Sequence, residues 1–331
     1  MSNAVKATTW LAAAIAIIVF ILHFLYELVF KKKKMPMRRV VIEGPVLGRG
    51  TFGTVTTCVY QNQLVAVKKF FVQSSIEFQN EVSMLSLLSG HPNVVRMLDH
   101  FIDSSSGGLC IVFEKLGESL LQRGRVNPQL RNAITRQILS ALVFLESKGV
   151  IHGDLKPENI LFSNSKEIKL IDFGTAFFVC KNDMLSCCTR SYRAPEVFFE
   201  SCKYTFAVDM FSVGCIVCEM ELGKPLFDSG GFDDDFPDEE ILLLQLCEIE
   251  KLCGCFPREM VSASTAFVKK FFSGGRLISK SLRSDYLAVL KKKPLIEEIF
   301  RDHRFGRLVK RMLSVDPIFR PTPQQVLLCD F

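Results

Sequence analysis

The sequence predicts an α+β chain in two unequal parts, a small β-rich part followed by a larger helical one, with one membrane-spanning helix ahead of both. Three observations predict it. Strand-type runs dominate residues 40–114, helical periodicity dominates from residue 128 onward, and a long apolar segment fills residues 10–30. At 331 residues the chain is long enough for one large domain or two lobes, and 48% hydrophobic content supplies a substantial core, which excludes a disordered or fibrous protein.

The apolar segment comes first. "WLAAAIAIIVFILHFLYELVF" at residues 10–30 gives a helix of about 30 Å at roughly 1.5 Å per residue, the thickness of a bilayer core. A cleaved signal peptide would carry its positive charges ahead of the apolar run, where only Lys6 stands; the lysines instead follow, in "KKKKMPMRR". The other alternative is a buried amphipathic helix. The expected organisation is a translocated tail at 1–9, a span at 10–30, a basic linker at 31–39 and a cytosolic domain at 40–331. His23 and Glu27 lie four apart, on one face near the cytosolic end of that span.

Charge and cysteines narrow the function classes. The net charge is +6, and Lys31, Lys32, Lys33, Lys34, Arg38 and Arg39 alone carry six positive charges, which leaves 35 basic against 35 acidic residues. Without a global basic excess, direct nucleic-acid binding is not expected. The 12 cysteines have no paired CxxC spacing, although Cys187–Cys188 and Cys253/Cys255 lie close, so they read as reduced, small buried hydrophobes.

From residue 40, "VVIEGPVLGRG", "TFGTVTTCVY" and "QNQLVAVKKF" read as three strands with turns at 48–50 and 61–63. A helix is expected at about 75–88, stopped by "SGHPN", and "LCIVFE" is a further apolar strand. The division between the parts falls near 115–117. Beyond it, "PQLRNAITRQILSALVFLESKG" sets Leu130, Ile134, Ile138, Leu142 and Leu145 on one helical stripe.

Within this frame, Gly48, Gly50 and Gly53 of "GRGTFGTV" form a glycine-rich turn that lets backbone amides approach phosphate oxygens. The pattern also occurs in dinucleotide-binding folds, but those need a helix directly after the glycines, and a β-type run follows here. Lys68 of "VAVK" falls on the third strand, and a lysine in an apolar strand needs a counter-charge. Glu81 on the following helix supplies it, with Glu77 as the competing candidate. In "IHGDLKPENILF", Asp154 offers a carboxylate, Lys156 a cation and Asn159 a metal-binding oxygen, and Asp172 of "IKLIDFG" adds the principal metal ligand. Phosphoryl transfer uses that set.

In order along the chain, "GRGTFGTV", "VAVK", "HGDLKPEN", "DFG", "RAPE", "DMFSVGC" and "DPIFRPT" resemble the eukaryotic protein kinase family from about residue 40 to 331. The resemblance implies a bilobal fold, an N-lobe at about 40–114 and a C-lobe at about 117–331. It implies ATP and Mg²⁺ as cofactors, with transfer to serine or threonine hydroxyls of protein substrates and autophosphorylation on tyrosine as a further activity. A nucleotide-binding pseudokinase or scaffold is the alternative. By resemblance, Gly48, Arg49, Gly50, Thr51, Phe52, Gly53, Val55, Ala66, Phe113, Glu114, Leu116 and Leu161 line the ATP site, where Lys68 pairs with Glu81 and Phe113 guards the back of the adenine pocket. Asp154 accepts the hydroxyl proton, Lys156 stabilises the γ-phosphate, and Asn159 and Asp172 hold Mg²⁺. Thr189 bonds Asp154 and Lys156, Arg193 shapes the pocket beside the target residue, Glu196 pairs with Arg320, and Asp209 binds the catalytic-loop backbone.

"SYRAPEV", "FEKLGESL" and "LCGCFPREMV" are similar to the CMGC group, and "CTRSYRAPEV" and "KKFFSGGRL" look most like LAMMER (Clk-type) kinases, with SRPK and DYRK relatives next. The LAMMER signature, E-H-L-A-M-M-E-R-I-L-G, falls on "LQLCEIEKLCG", where only Leu246, Glu250 and Gly254 are kept and Lys251 is conservative. That resemblance implies arginine/serine-rich substrates. With the lipid bilayer as a second partner, it favours the endoplasmic reticulum or nuclear envelope over the plasma membrane. Gly153 stands where many kinases place an arginine that holds a phosphorylated loop, which argues against phosphate-dependent switching. Ser186, Thr189, Ser191 and Tyr192 are the candidate phosphate acceptors, and "DSGGFDDDFPDEE" at 228–240 reads as a solvated acidic loop, with attraction of basic peptides as the alternative.

Overall fold

The computed structural model describes residues 36–38, 42–179, 188–199, 204–228, 238–278 and 293–331. The first part is a six-stranded sheet of β1 (Met37–Arg38), β2 (Ile42–Arg49), β3 (Gly53–Tyr60), β4 (Gln63–Phe70), β5 (Met97–Asp103) and β6 (Leu109–Glu114), in the order β1-β5-β6-β4-β3-β2. β1 lies parallel to β5, and the other pairings are antiparallel.

Turn chemistry sets the register. Gln61 and Asn62 both adopt left-handed φ, 50° and 62°, so Tyr60 faces Gln63 across the two-residue turn that suits the strand twist. The glycine-rich turn lies later than its glycines suggest. β2 runs through Arg49, and the turn spans residues 50–52, closed by Gly50 N–H on the Gly53 carbonyl at 2.9 Å. β4 lies inside the sheet, so Lys68 has Val55 of β3 on one side and Ile111 of β6 on the other.

Helix α1 (Ser75–Leu87) covers this sheet with Phe78, Val82, Met84 and Leu85, and brings one charged side chain, Glu81, inside with them. The chain then crosses to the second part, where Gly117 N–H donates to the Phe162 carbonyl at 2.7 Å. Helix α2 (Pro128–Ser147) starts where the Asn127 side chain accepts from Leu130 N–H at 2.9 Å. Its stripe of Ile134, Ile138, Leu142 and Leu145 is buried, with Leu130 half-buried at the first turn. β7 (Val150–Ile151), β8 (Ile160–Phe162), β9 (Ile168–Leu170) and β10 (Phe177–Phe178) carry the loops between them. Helix α3 (Ala207–Leu222) is buried from Val208 to Met220 and stops at Gly223, whose φ of +77° is one that glycine adopts freely. One apolar cluster runs from Phe70 and Phe78 to Ile138 and Phe211, so the two parts share a core.

The membrane assignment is corrected here. Among the described residues no helix is long and apolar enough to cross a membrane. α2 has 20 residues but carries Arg131, Arg136 and Glu146, and α3, mostly apolar, carries Asp209, Glu219 and Glu221 and has only 16 residues, roughly 24 Å against a bilayer core of about 30 Å. Both serve as interior helices of the domain. The run at 10–30 that carried the expectation lies outside the described residues, as do His23, Glu27 and Lys31 to Lys34. The transmembrane helix is withdrawn from the fold class, together with the single-pass localisation and the bilayer as partner. Ser186 and most of the acidic run at 228–240 also lie outside the described residues.

Candidate active site

Three charged groups from three separate elements meet under the glycine-rich turn. Lys68 Nζ of β4 is 2.7 Å from Glu81 Oε2 of α1 and 2.8 Å from Asp172 Oδ1, in the loop after β9. Burial works to lower the Lys68 pKa, but the two carboxylates outweigh it and hold the ammonium above its ordinary range. Burial also dominates at Glu81, pushing its carboxyl up to about 7 despite Lys68, with Asp172 adding to the rise. One ammonium serves two acids, and the wholly buried acid bears the strain. Glu77, the rival to Glu81, is half-buried with Oε2 unpaired among the described residues and takes no part. Asp172 has φ 61°, a left-handed conformation that costs a non-glycine residue about 1–3 kcal/mol and tends to cluster at functional sites.

Above these charges, the three glycines differ. A Cβ on Gly53 would lie 2.3 Å from the Lys69 carbonyl oxygen, so that glycine is required by the hairpin itself. At Gly48 and Gly50 a Cβ would meet nothing within 4 Å. Their bareness serves open space, which suits close approach of a phosphate. Arg49 and Thr51 are exposed and Phe52 is half-buried at the tip. Deeper in, Ala66 pairs with Phe113 across β4 and β6, and Leu116 is buried with Leu161 half-buried nearby in the core. The Glu114 side chain is turned to other work, accepting from Arg96 N–H at 2.7 Å and pairing with Lys169 at 3.0 Å.

A second constellation lies in the loop after β7. Asp154 Oδ1 accepts from both Thr189 N–H, at 2.8 Å, and Thr189 Oγ1–H, at 2.7 Å, while Lys156 Nζ lies 2.8 Å from Asp154 Oδ2 and donates to Thr189 Oγ1 at 2.8 Å. Burial works against the Asp154 charge, but Lys156 and Thr189 outweigh it and hold the carboxyl below its usual range. Asn159 Nδ2–H donates to the Asp154 carbonyl at 2.8 Å. The two constellations are joined through the backbone, where Ile171 N–H donates to the Asn159 carbonyl at 3.0 Å, one residue before Asp172.

The loop is braced from below. Asp209 of α3 accepts from His152 N–H at 2.8 Å and Gly153 N–H at 3.0 Å. Burial raises the Asp209 pKa in spite of those bonds. Arg320 makes a bidentate pair with Glu196 at 2.6 and 2.7 Å, both side chains being fully inside. Arg193 Nε and Nη2 donate to the Cys188 carbonyl at 3.0 and 2.8 Å, and Cys188 is itself left-handed at φ 71°. Of the candidate phosphate acceptors, Tyr192 is buried and donates its hydroxyl to Glu219 at 2.7 Å.

Sequence reasoning missed two residues here. His152 was given no role, yet it is fully buried, lies 4.8 Å from the Phe173 ring by centroid and has Nε2 3.0 Å from the Ile171 carbonyl. Asn80 was overlooked beside Glu81, although asparagine is a poor residue for a helix interior and its presence there was the available signal.

The protein kinase domain family matches residues 42–331. The chain is 34% identical to the dual specificity protein kinase YAK1 homolog of Arabidopsis thaliana, over 89% of this chain and 34% of that protein, so it spans about a third of that relative's length. It is 33% identical to the glycogen synthase kinase-3 homolog YGK3 of Saccharomyces cerevisiae, over 73% of this chain and 68% of that one. The fold is similar to a chain in the structure of the CAK complex from Chaetomium thermophilum bound to ATP-γ-S, with TM-score 0.65 and 23% identity over 86% of this chain and 88% of that chain. These relatives correct the LAMMER assignment to the broader CMGC type. The string at 244–254 that would have carried LAMMER keeps only three signature positions, two of them, Glu250 and Gly254, near the end of a helix (Asp238–Cys253), whereas the site motifs are common to protein kinases at large. The chain belongs to the protein kinase family and carries a kinase domain of CMGC type.

Proposed function

We propose that residues 40–331 are the catalytic unit, with an N-lobe at about 40–114 and a C-lobe at about 117–331, and that this unit transfers the γ-phosphoryl group of ATP to serine or threonine hydroxyls of protein substrates. The observation that carries the reading is the pair of constellations: Lys68 between Glu81 and Asp172, and Asp154 between Lys156 and Thr189. Asp154, kept ionised by its neighbours, accepts the proton of the attacking hydroxyl, and Lys156 beside it meets the charge that develops on the transferring group. Lys68 holds the nucleotide's phosphates below the bare glycines Gly48 and Gly50.

The residues also fit Mg²⁺. Asn159 and Asp172 offer hard oxygen donors, and among the described residues no group of three or more His, Cys, Asp or Glu side chains could hold a metal without help. That suits an ion usually held by one or two protein oxygens together with substrate phosphates and water. When bound, it neutralises phosphate charge; Asn159 and Asp172 fix where.

The substrate residue after the acceptor is read at Cys188. This residue precedes Thr189, which sits on Asp154, so the chain beyond an incoming hydroxyl passes beside it. Its carbonyl is already taken twice by Arg193, leaving little capacity for a substrate N–H. Proline, which has no N–H, loses nothing there. The arginine/serine-rich class rested on the LAMMER resemblance and is not carried forward.

The test is phosphate transfer by the full chain to peptides bearing Ser-Pro, Ser-Ala or Ser-Arg, with Asp172→Ala as the blank. Transfer well above the blank, and at least tenfold better for Ser-Pro, is expected. Equal counts from wild type and Asp172→Ala would leave a pseudokinase or scaffold, and preference for Ser-Arg would overturn the specificity reading alone.

A further inference from the structure

We propose that Asn80 is a positioning residue that latches helix α1 to the segment after Asp172 and thereby keeps the Lys68–Glu81–Asp172 constellation assembled without an added phosphate. This rests on the phosphotransfer reading above.

Both N–H groups of the Asn80 carboxamide are used: Nδ2 donates to the Gly174 carbonyl at 2.9 Å and to the Ala176 carbonyl at 2.8 Å. The orientation of the amide is forced, because turning it over would set its oxygen against two carbonyl oxygens. The next residue, Glu81, reaches Lys68 at 2.7 Å and is bonded by the Phe173 backbone. Adjacent helical residues project about 100° apart. Bonds at both positions to the stretch 172–176 therefore fix the roll of α1 about its axis as well as its slide along it. The other inward groups of the helix, Phe78, Val82, Met84 and Leu85, are apolar and impose no direction. One ion pair would leave α1 able to roll; the amide removes that freedom.

Gly153 offers no charge for a clamp, and the space beside it is already taken. Gly153 has φ +77°, and a Cβ there would lie 3.0 Å from Phe177 Cε1 and 3.2 Å from the Thr175 carbonyl oxygen. Phe177 is buried and held in register opposite Ile151. Beyond Asp172, which Lys68 holds, residues 174–177 are thus fastened by neutral groups, the Asn80 carboxamide on Gly174 and Ala176 and the pairing of Phe177 with Ile151.

The experiment compares full-length wild type, Asn80→Ala and Asn80→Asp. The aspartate is isosteric but has no N–H to give, so the latch requires it to be at least as damaging as alanine. The expected result is a tenfold or greater fall in kcat/KM in both variants, shared between a raised KM for ATP and a lowered kcat, with peptide KM unchanged and the melting curve retained. Asn80→Asp within twofold of wild type would overturn the proposal, because a merely space-filling side chain tolerates that exchange. If both variants fail to fold, the wild type decides it: in ¹⁵N-asparagine-labelled protein the Asn80 carboxamide must exchange its protons slowly, and exchange at the solvent rate overturns the latch. Wild type no more active than Asp172→Ala would instead overturn the kinase reading, which separates the two failures.

Discussion

Replacing Arg320 by alanine tests whether the segment that receives the substrate is held from within. Arg320 contributes no atom to the charged constellations. Its guanidinium makes the bidentate pair with Glu196 and also donates to the carbonyls of Ser314 at 2.7 Å, Ala207 at 2.8 Å and Val315 at 3.1 Å. Every one of its donor directions is used, inside the protein, and Glu196 has only 1% of its surface exposed. Arg320→Ala would strand a buried carboxylate, which costs about 3–5 kcal/mol. For a domain of this size about 2 °C is lost per kcal/mol, so the melting temperature should fall by roughly 6–10 °C. Glu196 lies in the first turn of the short helix Pro195–Phe199, three residues after Arg193, so the pocket beside Thr189 should loosen with it.

The assay is a double-mutant cycle of Arg320→Met, Glu196→Gln and the pair, read by thermal melting and by urea. Each single change should destabilise strongly, and the pair should be milder than their sum by more than about 2 kcal/mol, because the double variant leaves no unpaired charge. An Arg320→Met melting temperature within about 2 °C of wild type would refute the reasoning, since it would mean that Glu196 finds water or another cation when abandoned.

Three further outcomes are expected. Burial, with Asp209 second, pushes Glu146 up to about 7, so the folded state binds this proton more tightly than the unfolded chain and stability is lost as pH rises from the ordinary glutamate value of 4.5 through 7; Glu146→Gln should therefore raise the melting temperature at pH 8 by an amount worth roughly 1 kcal/mol and leave it unchanged at pH 4. Gly153→Ala should cost about 1–2 kcal/mol from its left-handed φ alone, seen as a shift in the urea midpoint, and a neutral result would mean that the backbone at 153 leaves the left-handed region without cost. Phosphatase treatment should change activity less than twofold, and a tenfold fall would point to a phosphate held by Arg190, Arg193 or another cation.

How much of this was legible in the sequence depends on whether a residue's partner is near in the chain or brought near by folding. β2, β3, β4 and β6, with α1 and α2, followed from local periodicity and caps, because alternation and the Asn127-Pro128 start are properties of a short window, whereas β1 and β5 were not read. The glycine-rich turn was misplaced by two residues, since the hairpin closes on Gly53, where a Cβ would strike Lys69, and the bareness of Gly48 and Gly50 serves something else. Lys68 with Glu81 was legible as a strand lysine needing a counter-charge, and Asp172 as a metal ligand, but not that the three meet. Nothing in the three strings says that one ammonium must satisfy two acids or that Glu81 is wholly buried, and it is burial above all, with Asp172 adding to it, that sets Glu81 near neutrality. The apolar run at 10–30 shows the opposite error, in which a composition long enough for a bilayer was carried into the fold class although no helix of the described fold can play that part.

Asn80, Cys188 and Phe177 were illegible for a shared reason: each acts on backbone carbonyls or backbone space. Asn80 spends both donors on the carbonyls of residues 174 and 176, Arg193 spends two on the carbonyl of Cys188, and Phe177 fills the volume over Gly153. A carbonyl has no residue type, so the partner of such a side chain leaves no mark in the sequence. Charged motifs announce a phosphotransfer site because the chemistry demands particular side chains. The groups that hold those side chains in place need only a donor of the right reach, and they become visible only when the backbone they serve has been folded around them.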